Sequence, residues 1–415
     1  MIIYGSNPRN SARFGELRPA RENPVTIPPS HDITSAMKIS DVRAIPVSFA
    51  IPEKHQVRLG IGTTIKRDAV LVRVETDAGI VGWGEAHAAR APSAIAELIN
   101  TTLKQLVVGL DANAPEQVWE RVYRMQLASH GAGAAAVIGL SGIDLALWDI
   151  RGKAAGCSVC EMLGGKPRPV RAYAGGIALG YQAIPALLDE IDRVIERGYR
   201  AFKLRLGDTP GRDIERVEAA RAHVGDAFDI LTDVNTTYDL EEVRQLIPAL
   251  EAANVGWLEE PFPAHDYKSY IAASRLGTTP LAAGENHYTR FEFERLADDG
   301  AITVWQPDLS KTGGLTEMIR IAMLAQRAGA SIHPHTSLTS LNMAASIHYL
   351  AASAEPGYFE ADLSAFNPFR NALCTGGFTT HGNGTVEPGS APGLGVEVDE
   401  RLLEKFPVIP GPGYI

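Results

Sequence analysis

The apolar positions of this chain change their rhythm as it is read forward. Residues 1–36 have no apolar period; Pro24, Pro28 and Pro29 and four arginines (Arg9, Arg13, Arg18, Arg21) give a polar N-terminal extension, and Glu16 and Glu22 argue against a transit peptide. From Met37 the pattern turns to strands. Lys38–Phe49 and Asp68–Thr76 carry alternating and β-branched apolar residues, and the second run passes through Asp77, Ala78 and Gly79 into Ile80–Glu85, which predicts a hairpin. Helical spacing follows over Ala91–Val108, Pro115–Gln126 and from Ala134 through Ile150. Strands followed by helices predict an α+β unit over residues 37–166.

Beyond Lys166 short apolar strands alternate with amphipathic helices. Strands are predicted at Val170–Ala174, Ala201–Leu206, Ile230–Val234, Trp257–Leu258, Leu281–Ala282, Val304–Pro307, Ser331–His333 and Tyr358–Glu360, about 25 residues apart. Right-handed crossovers would close them into a barrel over residues 167–366. Residues 367–415 carry glycine-rich turns and no further repeat, and are expected to return to the first unit.

Composition narrows the function classes. The chain has 45% hydrophobic and 21% charged residues, a globular balance. Its 49 acidic and 39 basic side chains give a net charge of −10, so no basic field draws a nucleic acid. Apolar runs such as Met343–Ala352 fall short of the roughly 18 to 20 residues that a membrane span needs. Three cysteines in 415 residues cannot make a disulfide framework, and a reducing, cytoplasmic setting is expected.

Candidate chemistry lies at the carboxyl ends of the barrel strands. Those points hold Lys203 and Arg205, Asp233 and Asn235, Glu259, Glu285, Asp308, His335 and Glu360. Asp233, Glu259 and Glu285 follow one another at 26-residue intervals, one strand-helix unit each, which predicts three carboxylates on neighbouring strands at one height. Buried together they would repel unless a cation neutralised them, and oxygen-only ligands suit a hard ion such as Mg²⁺. Ordinary ion pairing with Lys and Arg is the plain alternative. Asp308 and His335, 27 residues apart, can form a pair in which the carboxylate orients the imidazole as a general acid or base. Lys203 and Arg205 alternate by two and share one face of their strand. A metal, two cations and a His-Asp pair fit removal of a proton next to a carboxylate, with the resulting enediolate stabilised by positive charge.

With these residues in place, the sequence resembles the mandelate racemase subgroup of the enolase superfamily over residues 37 to about 400. The motifs that carry the resemblance are SGIDLALWDIRGKAAG from Ser141, FKLRLG from Phe202, TDVNTTYD from Thr232, WLEEP from Trp257, AGEN from Ala283, QPDLSKTGG from Gln306, HPH from His333 and YFEADL from Tyr358. The resemblance implies an α/β fold, a (β/α)₇β modified TIM barrel beneath an α+β capping domain. It implies Mg²⁺ on Asp233, Glu259 and Glu285, an acid/base pair in Asp308 and His335, and a substrate-carboxylate contact from Glu360. Asn235 and Lys311 match further polar positions of that site, and the subgroup suggests a homo-oligomer, from dimer to octamer.

One position departs from the subgroup. Its usual Lys-x-Lys has become Lys203-x-Arg205, and arginine is a poor base and a good electrostatic clamp. Racemisation needs a base on each face of the carbon, whereas His335 alone suffices for dehydration. An acid sugar dehydratase, acting on an aldonate or aldarate, is therefore expected. If Lys203 served as a second base, a racemase, epimerase or lactone cycloisomerase would be the alternative; a non-catalytic member of the fold is another.

The capping loops of the subgroup read the substrate. Here they would bring His55 and Arg58, with His87 and Arg90 in the second loop, and His287 would stand near the mouth of the pocket; for each a surface role is the plain alternative. His333 shares a strand end with His335 but follows no regular alternation through Pro334. His348 and the Cys157-x-x-Cys160 pair read as packing residues, the latter for want of a second metal-binding pair.

Overall fold

The computed structural model describes residues 37–130, 133–336 and 338–415, so the polar extension expected over residues 1–36 lies outside the described residues. The first unit opens on a three-stranded antiparallel sheet of β1 (Ile39–Ala50), β2 (Lys66–Thr76) and β3 (Val81–Ala86), with β2 in the centre. The predicted hairpin joins β2 to β3, and Thr76 N donates to Ile80 O across its turn. Helical stretches over 92–107 and 115–130 lead to α1 (Ala134–Ala155). This helix is apolar all round and buried along nearly its whole length, because it packs against both the capping sheet and the barrel. Its polar residues tie the two together: Asp144 accepts from Thr316 N at 3.0 Å, Trp148 Nε1 donates to Thr316 Oγ1 at 2.9 Å, and Asp149 accepts from Trp83 N and Leu394 N.

The barrel follows as predicted. Its strands and helices alternate in the order β4 (Val170–Gly175), α2 (Ile184–Glu196), β5 (Ala201–Arg205), α3 (Pro210–Val224), β6 (Asp229–Asp233), α4 (Leu240–Ala252), β7 (Leu258–Glu259) and α5 (Tyr267–Ala273). The second half comprises β8 (Leu281–Ala283), α6 (Thr289–Asp299), β9 (Val304–Trp305), α7 (Gly314–Ala328), β10 (Ser331–Ile332), α8 (Ser340–Ala352) and β11 (Phe359–Asp362). The parallel sheet runs from β10 through β9, β8, β7, β6 and β5 to β4, and β11 pairs with β4 on its far side. Eight strands and seven helices make the (β/α)₇β arrangement.

The last segment departs from expectation in part. One part serves the barrel: while β12 (Cys374–Gly376) and β15 (Val396–Val398) form a two-stranded sheet of their own, β13 (Phe378–Thr380) pairs with β14 (Thr385–Pro388), and β14 pairs with Val170 and Arg171 at the start of β4. The segment also reaches the cap: Phe369 packs edge-on against Phe49, Leu394 N donates to Asp149, Phe406 O accepts from Ser48 N, Ile409 O from Lys66 Nζ, and Ile415 exchanges two backbone hydrogen bonds with Thr63. Among the described residues no helix is long and apolar enough to cross a membrane. Cys157 and Cys160 are free thiols; burial raises both, Cys160 to about 11, as suits packing residues.

Candidate active site

Strand register sets the site. Arg205 lies opposite Asp233 in the β5–β6 pair, and Asp233 opposite Glu259 in the β6–β7 pair, so these three side chains share a level. Glu285 does not. The residue opposite Glu259 on β8 is Ala282, and Glu285 sits three positions further on, past Gly284 with its φ of +151°. The equally spaced residues come together in one cluster but not at one height: Glu285 reaches in from the loop above.

Six carboxylates meet three permanent cations here. Lys203 Nζ stands 2.8 Å from Glu259 Oε1, 3.0 Å from Glu360 Oε1 and 3.4 Å from Asp233 Oδ2. Arg205 pairs with Asp233 and donates to Gly176 O and to Asn235 Oδ1, the last at 3.4 Å. Lys311 Nζ lies 3.4 Å from Glu285 and 3.2 Å from Asn286 Oδ1. On the opposite side His335 Nδ1 meets Asp308 Oδ2 at 2.7 Å, and its Nε2 meets Glu285 Oε2 at 3.0 Å. Asp308 Oδ1 is held by Ser310 N, Ser310 Oγ and Asn342 Nδ2 at 2.6 to 3.0 Å. Lys203, Asp233, Glu259 and Glu360 are closed off, whereas the side chains of His335 and Glu285 keep 15% and 17% of their surface open. A substrate therefore meets the imidazole first.

The charge states follow from neighbours. Burial alone would favour a neutral Lys203, but Glu259, Glu360 and Asp233 outweigh it and hold the ammonium charged well above its usual range. Arg205 is likewise held charged, against its burial, by Asp233 and Glu360. Burial also opposes the imidazolium of His335, yet Glu285, Glu360 and Asp308 raise it to about 9. Asp308, pushed up by burial but drawn down by its hydrogen bond to His335, falls to about 2. The carboxylates without enough compensation move the other way: burial pushes Glu259 up to about 7 against the pull of Lys203, and Glu260 well up, helped by Glu285 and Asp233.

Those upward shifts come first from burial, and the neighbouring carboxylates add to them. Among the described residues no three acidic, histidine or cysteine side chains converge into a ready cage, since the carboxylates are turned to Lys203, Arg205, Lys311 and His335. The donor set is all oxygen at Asp233, Glu259, Glu260 and Glu285, and with Asp308 and Glu360 the buried carboxylates outnumber the local cations. A hard divalent cation fits both properties.

The structure thus brings together Lys203, Arg205, Asp233, Asn235, Glu259, Glu285, Asp308, Lys311, His335 and Glu360. Three expected residues stand apart. His55 stacks on Phe366, with ring centroids 6.0 Å apart, on the loop after β11. Arg58 lines a cleft of about 340 Å³ with Tyr181, Asp208, Arg212 and Arg216, where none of the clustered carboxylates contributes. His287 is fully buried between Tyr267 and Phe293 in the helix layer, because the chain turns after Glu285, with His287 N on Gly284 O, and swings the ring outward. Burial lowers it to about 4.

Other residues of the site were not picked out from the sequence. Glu260 takes both its hydrogen bonds from Asn286 Nδ2, and Gln306 Nε2 and Trp257 Nε1 donate to Glu259 Oε2 at 2.7 and 3.1 Å. Glu260 was open to detection as the second member of the Glu-Glu doublet at a strand end; its φ of +37° breaks the alternation that would have turned it away.

Fold and site together define a barrel enzyme of the enolase type, with its chemistry at the carboxyl ends of the strands. Residues 43–164 match the N-terminal domain of the mandelate racemase / muconate lactonizing enzyme family, and residues 186–402 match the enolase C-terminal domain-like family. The chain belongs to this family. It is 32% identical over 343 residues to the arabinonate dehydratase of Saccharolobus solfataricus, covering 82% of this chain and 90% of that protein. It is also 32% identical over 354 residues to the D-galactarolactone cycloisomerase of Agrobacterium fabrum, covering 82% and 92%. A crystal structure of an enolase superfamily member from Polaromonas sp. JS666 superposes with a TM-score of 0.88 at 52% identity, over 91% of this chain and all of that one. A racemase from Streptomyces coelicolor, crystallised with bound magnesium, superposes with a TM-score of 0.81 at 27% identity, over 89% of this chain and all of that one.

Proposed function

We propose that this protein is a Mg²⁺-dependent acid sugar dehydratase, converting an aldonate or aldarate into a 2-keto-3-deoxy acid. One observation carries the reading: His335 on Asp308, a pair built to exchange a proton, faces two cations, Lys203 and Arg205, both fixed in the charged state. A racemase would need a second base there, and an ammonium held by three carboxylates is not one.

Asp233, Glu259 and Glu285 would hold the metal, with Glu260 beside them. When bound it supplies positive charge to a substrate carboxylate and so lowers the cost of the enediolate. Glu285 as a ligand would no longer give its full charge to His335, which would bring the imidazole down toward the range of a working base. His335 Nε2 takes the proton from C2. Lys203 and Arg205 face the negative charge that then develops, and Glu360, anchored by Lys203 and Gly176 N, orients the carboxylate end. The imidazolium returns its proton to the departing C3 hydroxyl, water leaves, and the enol becomes the 2-keto acid.

Lactone cycloisomerisation needs the same single base, and the similarity to a galactarolactone cycloisomerase keeps it as the second reading. A library of aldonic acids, aldaric acids and their lactones, assayed for 2-keto acid in D₂O, separates the outcomes. Dehydration is expected to yield keto acid; inversion with deuterium entering unreacted substrate, and no keto acid, would overturn it.

A further inference from the structure

The capping strand β3 does more than cover the barrel. Gly82 and Gly84 lie against α1 so closely that a Cβ at either would fall within 2.2 Å of a helix carbonyl oxygen, Ala146 O or Gly142 O. Alternation along the strand therefore aims Trp83 and Glu85 at the opposite side, toward the barrel. Glu85 is fully buried, and its Oε2 accepts from Thr339 Oγ1 at 2.5 Å and from the backbone N–H groups of Thr339 and Asn342 at 3.3 Å. It thus closes the N-terminus of α8, whose first turn leaves such donors unpaired. Asn342, in that turn, reaches Asp308 Oδ1 through Nδ2 at 3.0 Å. Two residues past Glu85, His87 N donates to Ser310 O at 3.0 Å, and Ser310 holds the same Asp308 oxygen through its own N–H and hydroxyl. These two supports of Asp308 are therefore fastened to β3 and to the residue just beyond it, in the other domain.

We propose that Glu85 is a positioning residue for the Asp308–His335 pair, acting from the capping domain through Thr339 and Asn342 at the start of α8. The proposal rests on the reading of His335 as the base. A further detail favours it. Glu85 Oε1 and Asn342 Oδ1 are both buried and have no hydrogen-bond partner among the described residues. Two bare acceptors in one buried network are costly unless one carries a proton. Burial pushes the Glu85 carboxyl up to about 8, so a neutral acid is available to serve Thr339 with one oxygen and offer its proton from the other. Asp308 then faces the amide end of Asn342 and not its oxygen, and presents Oδ2 to the imidazole.

The test needs a readout that does not depend on the substrate. The proton on His335 Nδ1, shared with Asp308 over 2.7 Å, should give a far-downfield proton resonance, assigned by its loss in His335→Asn. On the full chain with Mg²⁺ present, Glu85→Ala and Asn342→Ala are expected to shift or broaden it. Glu85→Gln, which keeps one acceptor and one donor, should retain it. Both alanine variants should also lower kcat by about 10- to 100-fold, the usual cost of losing an outer support, with little change in KM. If Glu85→Ala fails to fold, Asn342→Ala alone decides. An unchanged resonance in a folded Asn342→Ala protein overturns the proposal, as does Glu85→Gln behaving like Glu85→Ala. Absence of keto acid from the wild type would sink the dehydratase reading and leave this comparison standing.

Discussion

His333 and His335 stand two residues apart on the same strand end, both largely buried, and the protein treats them in opposite ways. His333 drops into the lower barrel, where its ring lies 5.0 Å from that of Trp257 and 5.9 Å from that of Tyr358, two rings that both pack on Tyr173, and its Nδ1 accepts from Tyr358 N at 2.9 Å. Burial, helped by Arg171, lowers it to about 4. His335 meets Glu285 and Asp308 and is raised to about 9. Burial is common to both and has the same sign in both; the carboxylates decide. One layer of the barrel keeps a histidine neutral as filling, and the next layer keeps one ready to carry a proton.

The largest expected effect separates these layers by activity. His335→Asn should cost about 10²- to 10⁴-fold in kcat, the usual contribution of a positioned acid or base. His333→Asn, which preserves an acceptor for Tyr358 N, should leave turnover near wild type and affect only stability. Steady-state rates of both variants on the same acid sugar check this. Equal losses would mean that the lower layer takes part in the chemistry and that the division is false.

Much of that division could be read in the sequence, though unevenly. Strand-helix alternation gave the barrel, because each unit repeats a local period, and intervals of 26 and 27 residues gave Asp233, Glu259, Glu285, Asp308 and His335. Local period says less where the backbone leaves the strand. Glu285 lies higher than its spacing implied because Gly284 turns the chain, Glu260 joins the site at a positive φ, and His287 leaves it within two residues of Glu285. Partners far apart in the chain leave no local trace at all: 254 residues separate Glu85 from Thr339. The pairing of β14 with β4 was hidden in the same way.

Titration offers a second, smaller separation. An unfolded histidine has a pKa of about 6.5. For His333 the folded value lies below this, so between about 4 and 6.5 only the unfolded chain binds the proton; stability should fall as pH drops through that window. For His335 in metal-free protein the folded value lies above it, so its contribution is complete below about 6.5 and is lost as pH rises toward 9. Urea midpoints across pH, measured in EDTA, should show the acid limb flattened in His333→Asn and the alkaline limb flattened in His335→Asn. His287 and His348, also lowered to about 4 by burial, add to the acid limb, so the difference from wild type is the quantity that isolates His333. Flattening on the same limb in both variants would contradict the opposed shifts.

The smallest expected effect lies at the seam between the layers. Trp257 packs its ring among the lower aromatics, 5.7 Å from Tyr173, while its Nε1 donates upward to Glu259 Oε2 at 3.1 Å. Trp257→Phe would keep most of the ring contact and remove that donor, leaving Gln306 Nε2 on the same oxygen at 2.7 Å. A lost hydrogen bond of this kind is worth about 1 kcal/mol, less than a tenfold change in affinity. Glu259→Gln removes the charge itself. In thermal unfolding with added Mg²⁺, the wild type should gain about 2.7 kcal/mol at a hundred times the dissociation constant. Trp257→Phe should reach the same gain at a several-fold higher concentration, and Glu259→Gln should gain almost nothing. If Trp257→Phe lost the response as completely as Glu259→Gln, the aromatic layer would be part of the metal site, because one donor with a neighbour in reserve cannot account for so large a loss.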